Sequence, residues 1–225
     1  TVFTNGTLMG QSQIKLFKDN PNLVPIISIE GGRRTTDVRR GHGVHEILTE
    51  AMDKLKSQNI MFGASVTVTK DNADEVMGEE FVGALCSRGC KAIIYVEYVP
   101  VDRAAAASAP DDDTRCRMTL MLDKLRNENS DMLFVSFPGD EKSSGGCLAA
   151  GRGFFHINAF GGAEPCPFSA YSDTSVRSLG IREALKSPLF TTLQESGMLN
   201  DDHEGGCVLH EKEEQVKEIC VKQEQ

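Results

Sequence analysis

The sequence has 225 residues, a formal net charge of −9 and a hydrophobic share of 40%. This length and apolar content exclude a disordered chain and predict one sizeable domain, or one domain with a smaller appendage. The acidic balance, without a run of Lys and Arg among aromatic residues, excludes a surface that follows nucleic-acid phosphates. Since no apolar run reaches the roughly 18 residues of a membrane span and no signal peptide is visible, we expect a soluble, cytoplasmic protein that binds neither nucleic acid nor membrane.

Five short apolar runs end in polar residues, Gly or Pro, and they are rich in Val, Ile and aromatic residues. Such runs are typical of strands that are buried on both faces of a parallel sheet. The predicted strands span residues 1–6, 23–31, 61–70, 92–100 and 132–140. Because Thr1 leads directly into the first of these strands, we also expect the chain to be a piece of a longer protein.

Amphipathic patterns between the later strands predict three helices, at 44–58, 72–89 and 111–127. The second helix is expected to begin after an N-cap at Asn72 and to end at Gly89. Three Asp residues open the third helix, where they suit the positive end of the helix dipole. The alternation of strands and helices predicts an α/β fold with right-handed βαβ units, arranged as a parallel sheet or a barrel.

The pattern changes after about residue 140, where Gly-rich turns, a hairpin and widely spaced cysteines replace the strand–helix alternation. We therefore predict two domains, with residues 1–140 forming the α/β domain and residues 141–225 a small α+β domain. The charged amphipathic segment at 210–225 is interpreted as a solvated covering helix.

The carboxyl ends of parallel strands are where α/β sheets bind their ligands. In this sequence those ends carry small hydrogen-bonding residues and two carboxylates, in the segments 4–6, 28–32, 67–72 and 97–98. The set fits a polar ligand with hydroxyl and amine groups better than a phosphate, because no P-loop pattern is present. For any single one of these residues, a structural role in the turn at the strand end is as good an explanation as ligand binding.

The chain contains seven cysteines, an odd number that fits poorly with a fully paired disulfide framework. Cys147 and Cys166 flank an aromatic segment and a Gly-Gly pair, and a hairpin through these glycines would bring the two thiols towards each other. Cys207 and Cys220 follow further along the chain. In a reducing cytosol clustered thiols are metal ligands more often than bridges, and by spacing alone they suit an iron–sulfur cluster or zinc.

Together these segments resemble radical S-adenosylmethionine (SAM) enzymes with a C-terminal SPASM or twitch domain, which binds an auxiliary [4Fe–4S] cluster. Cys147, Gly161 and Cys166, with thirteen and then four residues between them, resemble the opening signature of that domain. Four segments resemble barrel strands three to six of the family: FTNGTLM (3–9), ISIEGGRRTTDVRRGHG (27–43), SVTVTKDN (65–72) and YVEYVPV (95–101).

The resemblance implies a partial (βα)6 barrel with four or five parallel strands present, an open edge at strand 1–6, and SAM bound at the strand ends. The SAM contacts that it implies are Ser28, Glu30, Ser65, Thr67 and Val99. Ser28 would contact the ribose or carboxylate, and Glu30 stands where the family often has Asp. Such enzymes reduce SAM to methionine and a 5′-deoxyadenosyl radical, which abstracts hydrogen from a peptide or small-molecule substrate. A reductant such as ferredoxin or flavodoxin is the implied electron donor.

The resemblance further implies that Cys147, Cys166 and Cys207 bind the auxiliary [4Fe–4S] cluster, with Cys220, His210 or substrate at the fourth position. One auxiliary cluster fits, because the tightly spaced C-x-x-C run of a full SPASM domain is absent. The CxxxCxxC loop and the G-G-E segment of the family are also absent and are expected upstream. The chain alone is therefore not expected to cleave SAM.

Two other functions were weighed against this one. They are a non-catalytic domain that binds zinc or iron–sulfur through the C-terminal cysteines, and a metal-independent (βα)-barrel lyase. Cys86 and Cys90 have the spacing of the first two cysteines of the missing loop, but Ile93 takes the third position, so we interpret both as core residues. His42 and His45 form at most half of a metal site.

Overall fold

The computed structural model describes residues 1–100, 105–141, 145–200 and 207–223, and the chain divides into two compact units, Thr1–Phe137 and Pro138–Gln225. Val101, which ends the segment compared with barrel strand six, and residues 224–225 of the predicted C-terminal helix lie outside the described residues. The assignment of the second unit as an auxiliary cluster domain stays a prediction.

A five-stranded parallel sheet forms the first unit, in the order β1-β2-β3-β4-β5. The strands are Val2–Thr4 (β1), Pro25–Ser28 (β2), Gly63–Val68 (β3), Ala92–Glu97 (β4) and Leu133–Phe137 (β5). Each lies within one of the five apolar runs, so the predicted α/β fold with parallel strands is confirmed. Among the described residues the sheet is open, and β1 lies at one edge, as predicted.

The helices that connect these strands are Gln11–Asp19 (α1), Arg33–Arg40 (α2), Val44–Ser57 (α3), Ala73–Val76 (α4), Glu79–Ser87 (α5) and Asp112–Glu128 (α6). The predicted apolar stripe of α3 is buried at Leu48, Ala51, Met52 and Leu55. Asp111 caps α6, since its carboxylate accepts a hydrogen bond of 2.9 Å from the backbone N–H of Thr114.

The single helix predicted over 72–89 is wrong, because two helices, α4 and α5, form there with Gly78 between them. Gly78 has extended backbone angles (φ −70°, ψ 150°) and serves as the N-cap of α5. Asn72 does precede α4, but its side chain makes no capping hydrogen bond and binds the neighbouring strands instead. Helices α1 and α2 are not predicted by the sequence patterns.

Helices cover one face of the sheet. The fully buried residues of that face, which pack in one hydrophobic cluster with α3, are Ile27, Ala64, Val66, Ile93 and Tyr95. Residues that alternate with them along the strands point to the other face and are mostly half-buried. Cys90 is 0% exposed in the same cluster and Cys86 packs against it, in agreement with their interpretation as core residues.

The second unit contains a two-stranded hairpin and several short helices. The strands His156–Ile157 (β6) and Ala163–Glu164 (β7) pair antiparallel. The helices are Val176–Ala184 (α7), Pro188–Glu195 (α8), Val208–Glu211 (α9) and Glu213–Gln223 (α10), with tight 3-10 turns at Gly139–Glu141 and Met198–Asn200. The hairpin turns through Gly161, whose φ of +91° and close approach to Arg177 exclude a larger residue. The predicted C-terminal helix is divided at Lys212.

No helix in the described part of the chain is both long and apolar enough to cross a membrane.

Candidate functional site

Three of the five residues expected to contact SAM lie on the half-buried face of the parallel sheet. Ser28 of β2 pairs in register with Ser65 of β3, and Thr67 lies two residues further along β3, on the same face. All three side chains are half-buried. Because the carboxyl ends of β2 and β3 are adjacent, the three hydroxyl groups form one polar stripe at the edge where parallel sheets bind ligands.

Glu30 follows β2, and its side chain is 1% exposed. One carboxylate oxygen accepts hydrogen bonds from Nε (3.0 Å) and Nη2 of Arg40, and the other lies 3.4 Å from Nε of Arg39. The Arg39 guanidinium also lies 5.7 Å from the centre of the Tyr98 ring. Glu30 therefore holds two arginines at the end of β2. Its contact with SAM stays a prediction.

Asn72 joins the ends of β2 and β3, a role that the sequence did not reveal. Its side-chain amide donates hydrogen bonds to the backbone oxygens of Glu30 and Thr67, both at 3.0 Å. Its carbonyl oxygen accepts hydrogen bonds from the backbone N–H (2.7 Å) and the hydroxyl (3.1 Å) of Thr69. The Thr-x-x-Asn spacing after β3 was the available signal, but the same spacing also fits a helix N-cap.

The end of β4 repeats the arrangement of a buried carboxylate with an arginine from the next helix. Glu97 is 7% exposed and accepts hydrogen bonds from Nε (2.8 Å) and Nη2 (2.6 Å) of Arg115 in α6. Val99, the fifth residue expected to contact SAM, lies just beyond β4 and is 7% exposed. Val99 and Glu30 thus stand after their strands, whereas the three hydroxyl residues belong to the strands themselves.

A separate cavity of about 430 Å³ lies on the helical side of the first unit. Its walls come from α3, α4 and α5, and none of the five predicted SAM residues lines it. His45 lies in this wall, where burial lowers its pKa, and its Nδ1 atom has no hydrogen-bond partner among the described residues. Among the described residues no metal-binding group forms around His45, and the half metal site stays an untested alternative.

Three of the four predicted cluster ligands interact with one another in the second unit. Cys147 is 8% exposed, Cys166 is 3% exposed, and Cys207 is half-buried. The Cys166 and Cys207 side chains interact directly with each other. Cys147 interacts electrostatically with Cys166 and with Cys207. The fold therefore gathers thiols that are far apart in the sequence.

These contacts shift the three pKa values in different directions. The interaction with Cys207, together with burial, raises the pKa of Cys166. The same interaction lowers the pKa of Cys207. Burial raises the pKa of Cys147 to about 12. Since metals bind thiolates, metal binding at these residues would release protons.

Backbone amide groups approach each of the three sulfurs. The N–H of Ala149 lies towards Cys147, that of Phe168 towards Cys166, and those of Leu209 and His210 towards Cys207. Each amide lowers the pKa of the thiol that it approaches, although Cys207 forms no standard side-chain cap on α9. Buried thiolates that accept N–H hydrogen bonds are the ligands that iron–sulfur clusters use, so these residues fit such a cluster.

Two other residues of the second unit are close to this group. Cys220, on α10, is 7% exposed, packs in the same hydrophobic cluster and interacts with Tyr171. Glu141 is also 7% exposed, and its carboxylate interacts with Cys147 and, through its charge, with Cys207. Sequence reasoning missed Glu141, because the segment FPGDEK is typical of a surface turn.

Within the described ranges, no group of three or more His, Cys, Asp or Glu side chains is placed to hold a single metal ion. A mononuclear zinc site needs such a group, because all of its ligands bind one ion. In an iron–sulfur cluster each cysteine binds a different iron, so the sulfurs lie further apart. The described residues therefore show no site for a single zinc ion, and a cluster at the three thiols stays a prediction.

No protein-family model and no curated protein matches the sequence. Solved structures do match. The chain superposes on anSMEcpe with bound AdoMet and Cp18Cys peptide with a TM-score of 0.66 and 14% identity, covering 90% of this chain and 60% of that one. It superposes on SuiB of Streptococcus suis bound to S-adenosylmethionine with a TM-score of 0.70 and 14% identity, covering 97% and 58%. The chain therefore shares the fold of these two structures.

A third structure, SuiB bound to its precursor peptide SuiA, matches with a TM-score of 0.53 and 12% identity over 84% of this chain and 46% of that one. The chain thus spans about half to three fifths of the length of these structures. At such identities the likeness establishes the shared fold alone.

Proposed function

We propose that this chain is the SAM-facing and auxiliary-cluster part of a cytoplasmic radical SAM enzyme that modifies a peptide or small molecule. The observation that carries the proposal is the stripe of hydroxyl groups at Ser28, Ser65 and Thr67. It lies at the carboxyl ends of strands in a sheet whose fold is shared with proteins that hold SAM in their structures. The full enzyme would reduce SAM, with ferredoxin or flavodoxin as electron donor, and abstract hydrogen from its substrate.

Each residue of the first unit has a part that follows from its chemistry. The hydroxyl groups of Ser28, Ser65 and Thr67 can donate to and accept from the ribose, carboxylate and adenine of SAM. Val99 supplies apolar contact for the adenosine. Glu30 acts through the arginines that it orients, and a direct contact with SAM would require one of its oxygens to leave them.

The second unit would hold the auxiliary [4Fe–4S] cluster through Cys147, Cys166 and Cys207, with Cys220 as the fourth thiol of the predicted set. When bound, the cluster supplies a one-electron acceptor or an iron that binds substrate. The chain's own contribution is to bury the three thiols, to direct backbone N–H groups at their sulfurs and to exclude water.

SAM binding to the 225-residue chain tests the first part, measured by equilibrium dialysis with labelled SAM. Removing the hydroxyl groups with Ser65→Ala and Thr67→Val should weaken binding by about tenfold for each hydrogen bond lost. The matched control is Thr49→Val, because Thr49 lines the cavity on the helical side. Loss of binding in the Thr49 variant alone, or no saturable binding at all, contradicts the proposed SAM site.

Anaerobic reconstitution with iron and sulfide tests the second part. A brown protein with about four irons per chain is the expected result. Zinc in place of iron would favour a non-catalytic zinc domain, and the absence of both metals would favour the metal-independent lyase. Either of these results contradicts the auxiliary cluster.

A further inference from the structure

We propose that the cavity between α3, α4 and α5 binds an organic cation, namely an ammonium group on an apolar stem. A lysine side chain of a peptide and a free alkylamine both have this chemistry. The cavity measures about 430 Å³, which is within the range of small-ligand sites. None of the residues expected to contact SAM and none of the predicted cluster cysteines lines it, so this site goes beyond the proposed function and does not depend on it.

The buried residues of the lining form an apolar floor. Ile29, which follows β2, is 1% exposed, and Phe81 and Leu85 of α5 are 8% and 3% exposed. An alkyl stem in contact with these side chains is removed from water, which favours binding. The floor therefore selects a ligand that has an apolar part.

His45 contributes a polar atom to the cavity wall that nothing in the described part of the chain satisfies. Its backbone N–H donates a hydrogen bond of 2.8 Å to Asp37, but Nδ1 of its ring is buried without a partner among the described residues. Burial and the charge of Arg33 lower the pKa of His45, so the ring is uncharged at neutral pH. An uncharged imidazole whose hydrogen is on Nε2 accepts a hydrogen bond at Nδ1, and an ammonium group can donate it.

The charged side chains of the lining determine the sign of the ligand's charge. They are four carboxylates and one guanidinium, on Asp74, Glu75, Glu79, Glu80 and Arg88. Nη1 of Arg88 lies 2.7 and 2.6 Å from the two carboxylate oxygens of Asp53, which is outside the lining. Because Asp53 balances the guanidinium, the cavity is surrounded by an excess of negative charge.

The carboxylates of α4 and α5 are only partly neutralised by α6. Asp74 lies 3.4 Å from Nε of Arg117, and Glu79 lies 2.7 Å from Nζ of Lys124. Glu80 is exposed and makes no ion pair within the described ranges. Its charge is therefore available to a ligand.

Glu75 is held at the cavity by neutral donors. It accepts hydrogen bonds from the N–H of Gly32 (2.7 Å) and the hydroxyl of Thr35 (2.5 Å). A Cβ atom at Gly31 would lie 2.9 Å from Oε1 of Glu75, so the glycine pair after Glu30 leaves room for this carboxylate. No basic side chain of the described part of the chain forms an ion pair with Glu75.

The arrangement suits an organic cation better than a metal ion. In the residues that the structure describes, no three His, Cys, Asp or Glu side chains are placed to hold one metal. Carboxylates spread around an apolar floor, with one neutral acceptor in the wall, instead match a ligand that has a cationic head and an apolar stem.

An NMR titration of the isotope-labelled 225-residue chain with hexylammonium chloride tests the site. Amide shifts should concentrate in α3, α4 and α5, with a dissociation constant on the order of 1 mM. Hexanol, which has the same stem without the charge, should bind at least about tenfold more weakly. The lysine derivative Nα-acetyl-lysine N-methylamide distinguishes the two sources, because tighter binding than hexylammonium indicates a peptide lysine and weaker binding a free amine.

Two substitutions in the lining should weaken the binding of hexylammonium. His45→Phe should weaken it by about tenfold, because it removes the buried acceptor. Glu80→Gln should weaken it by about threefold, because an exposed carboxylate contributes little to an ion pair. The matched controls His42→Phe and Glu50→Gln change exposed residues outside the lining and should bind as wild type.

Four results would overturn the proposal. They are no saturable binding of hexylammonium, equal binding of hexanol, wild-type affinity in both lining variants, and amide shifts at the ends of β2 and β3 in place of the three helices. If His45→Phe does not fold by circular dichroism, Glu80→Gln and the comparison with hexanol decide.

Discussion

Glu30 in the first unit and Cys166 in the second are both almost completely buried, but they have different kinds of partner. Glu30 is a charged group that two arginine side chains neutralise, with hydrogen bonds from Arg40. Cys166 has another thiol as its side-chain partner, and thiols are weak donors and acceptors. The first unit thus places two arginines beside its buried carboxylate, although the Oε2 atom of Glu30 has no hydrogen-bond partner among the described residues, whereas the second unit places several thiols close together.

The cysteines alone show the same contrast. Burial raises the pKa of Cys90 to about 11, much as it raises that of Cys147 to about 12. The Cys90 thiol, however, donates a hydrogen bond of 3.1 Å to the carbonyl of Ala92 inside the core. A raised pKa therefore does not identify a ligand. One neighbouring thiol does not identify a ligand either, because Cys90 interacts with Cys86. Cys147 differs from Cys90 in that it interacts with two thiols, Cys166 and Cys207.

The largest effect is expected from cysteine substitutions, which test whether the thiols of the second unit bind a cluster and those of the first unit do not. Cys147→Ser combined with Cys166→Ser should abolish the iron–sulfur chromophore, because two of the ligands are lost. Cys86→Ala combined with Cys90→Ala should leave iron content and visible spectrum unchanged, although it removes two thiols as well. Iron and sulfide analysis after anaerobic reconstitution measures both. An unchanged spectrum in the first variant would contradict the cluster assignment.

The next effect tests how far the first unit depends on its own ion pairs. Arg40→Ala should destabilise the sheet by about 3 kcal/mol, because it leaves a buried carboxylate with Arg39 alone. Hydrogen exchange of the β3 amides gives the free energy of opening. The control is Arg34→Ala, an exposed position on the same helix, which should change that free energy by less than about 0.5 kcal/mol. Equal effects of the two variants would show that Glu30 needs no arginine.

A smaller effect is expected at Asn72, where a neutral side chain satisfies the backbone. Asn72→Ala should lower the opening free energy of β3 by about 2 kcal/mol, because it leaves buried backbone groups of Glu30, Thr67 and Thr69 without their partner. Asn127→Ala, at an exposed position of α6, is the matched control. If the β3 amides exchange at the same rate in both variants, the side chain of Asn72 does not join β2 and β3 as described.

The sequence predicted the parts of this molecule that local patterns determine. The apolar runs gave all five strands of the sheet, and the stripe Leu48–Leu55 gave α3. The break at Gly78 was missed, because the helical pattern continues across it. The ion pairs of Glu30 and the position of Glu141 were not predicted, for a different reason: their partners, Arg40 in the next helix and Leu148 beyond a loop, are brought to them by the fold. Charge and burial at such places depend on contacts that composition does not encode.

The smallest effect concerns His45, whose Nδ1, like Oε2 of Glu30, is buried without a hydrogen-bond partner among the described residues. Burial lowers the pKa of His45 in the folded state, so the unfolded chain binds a proton first as the pH falls below about 6.5.

Stability that is present above that pH should therefore decrease as the pH falls further towards the lowered folded-state value. The decrease should stay below about 1 kcal/mol, because His45 is only partly buried. Hydrogen exchange of the α3 amides at pH 7.5 and 5.5 measures it. Because His45→Gln does not titrate, the difference between wild type and variant isolates this residue from all other titrating groups. A wild-type stability that increases relative to the variant as the pH falls would reverse the sign and show that the folded state favours the charged imidazole.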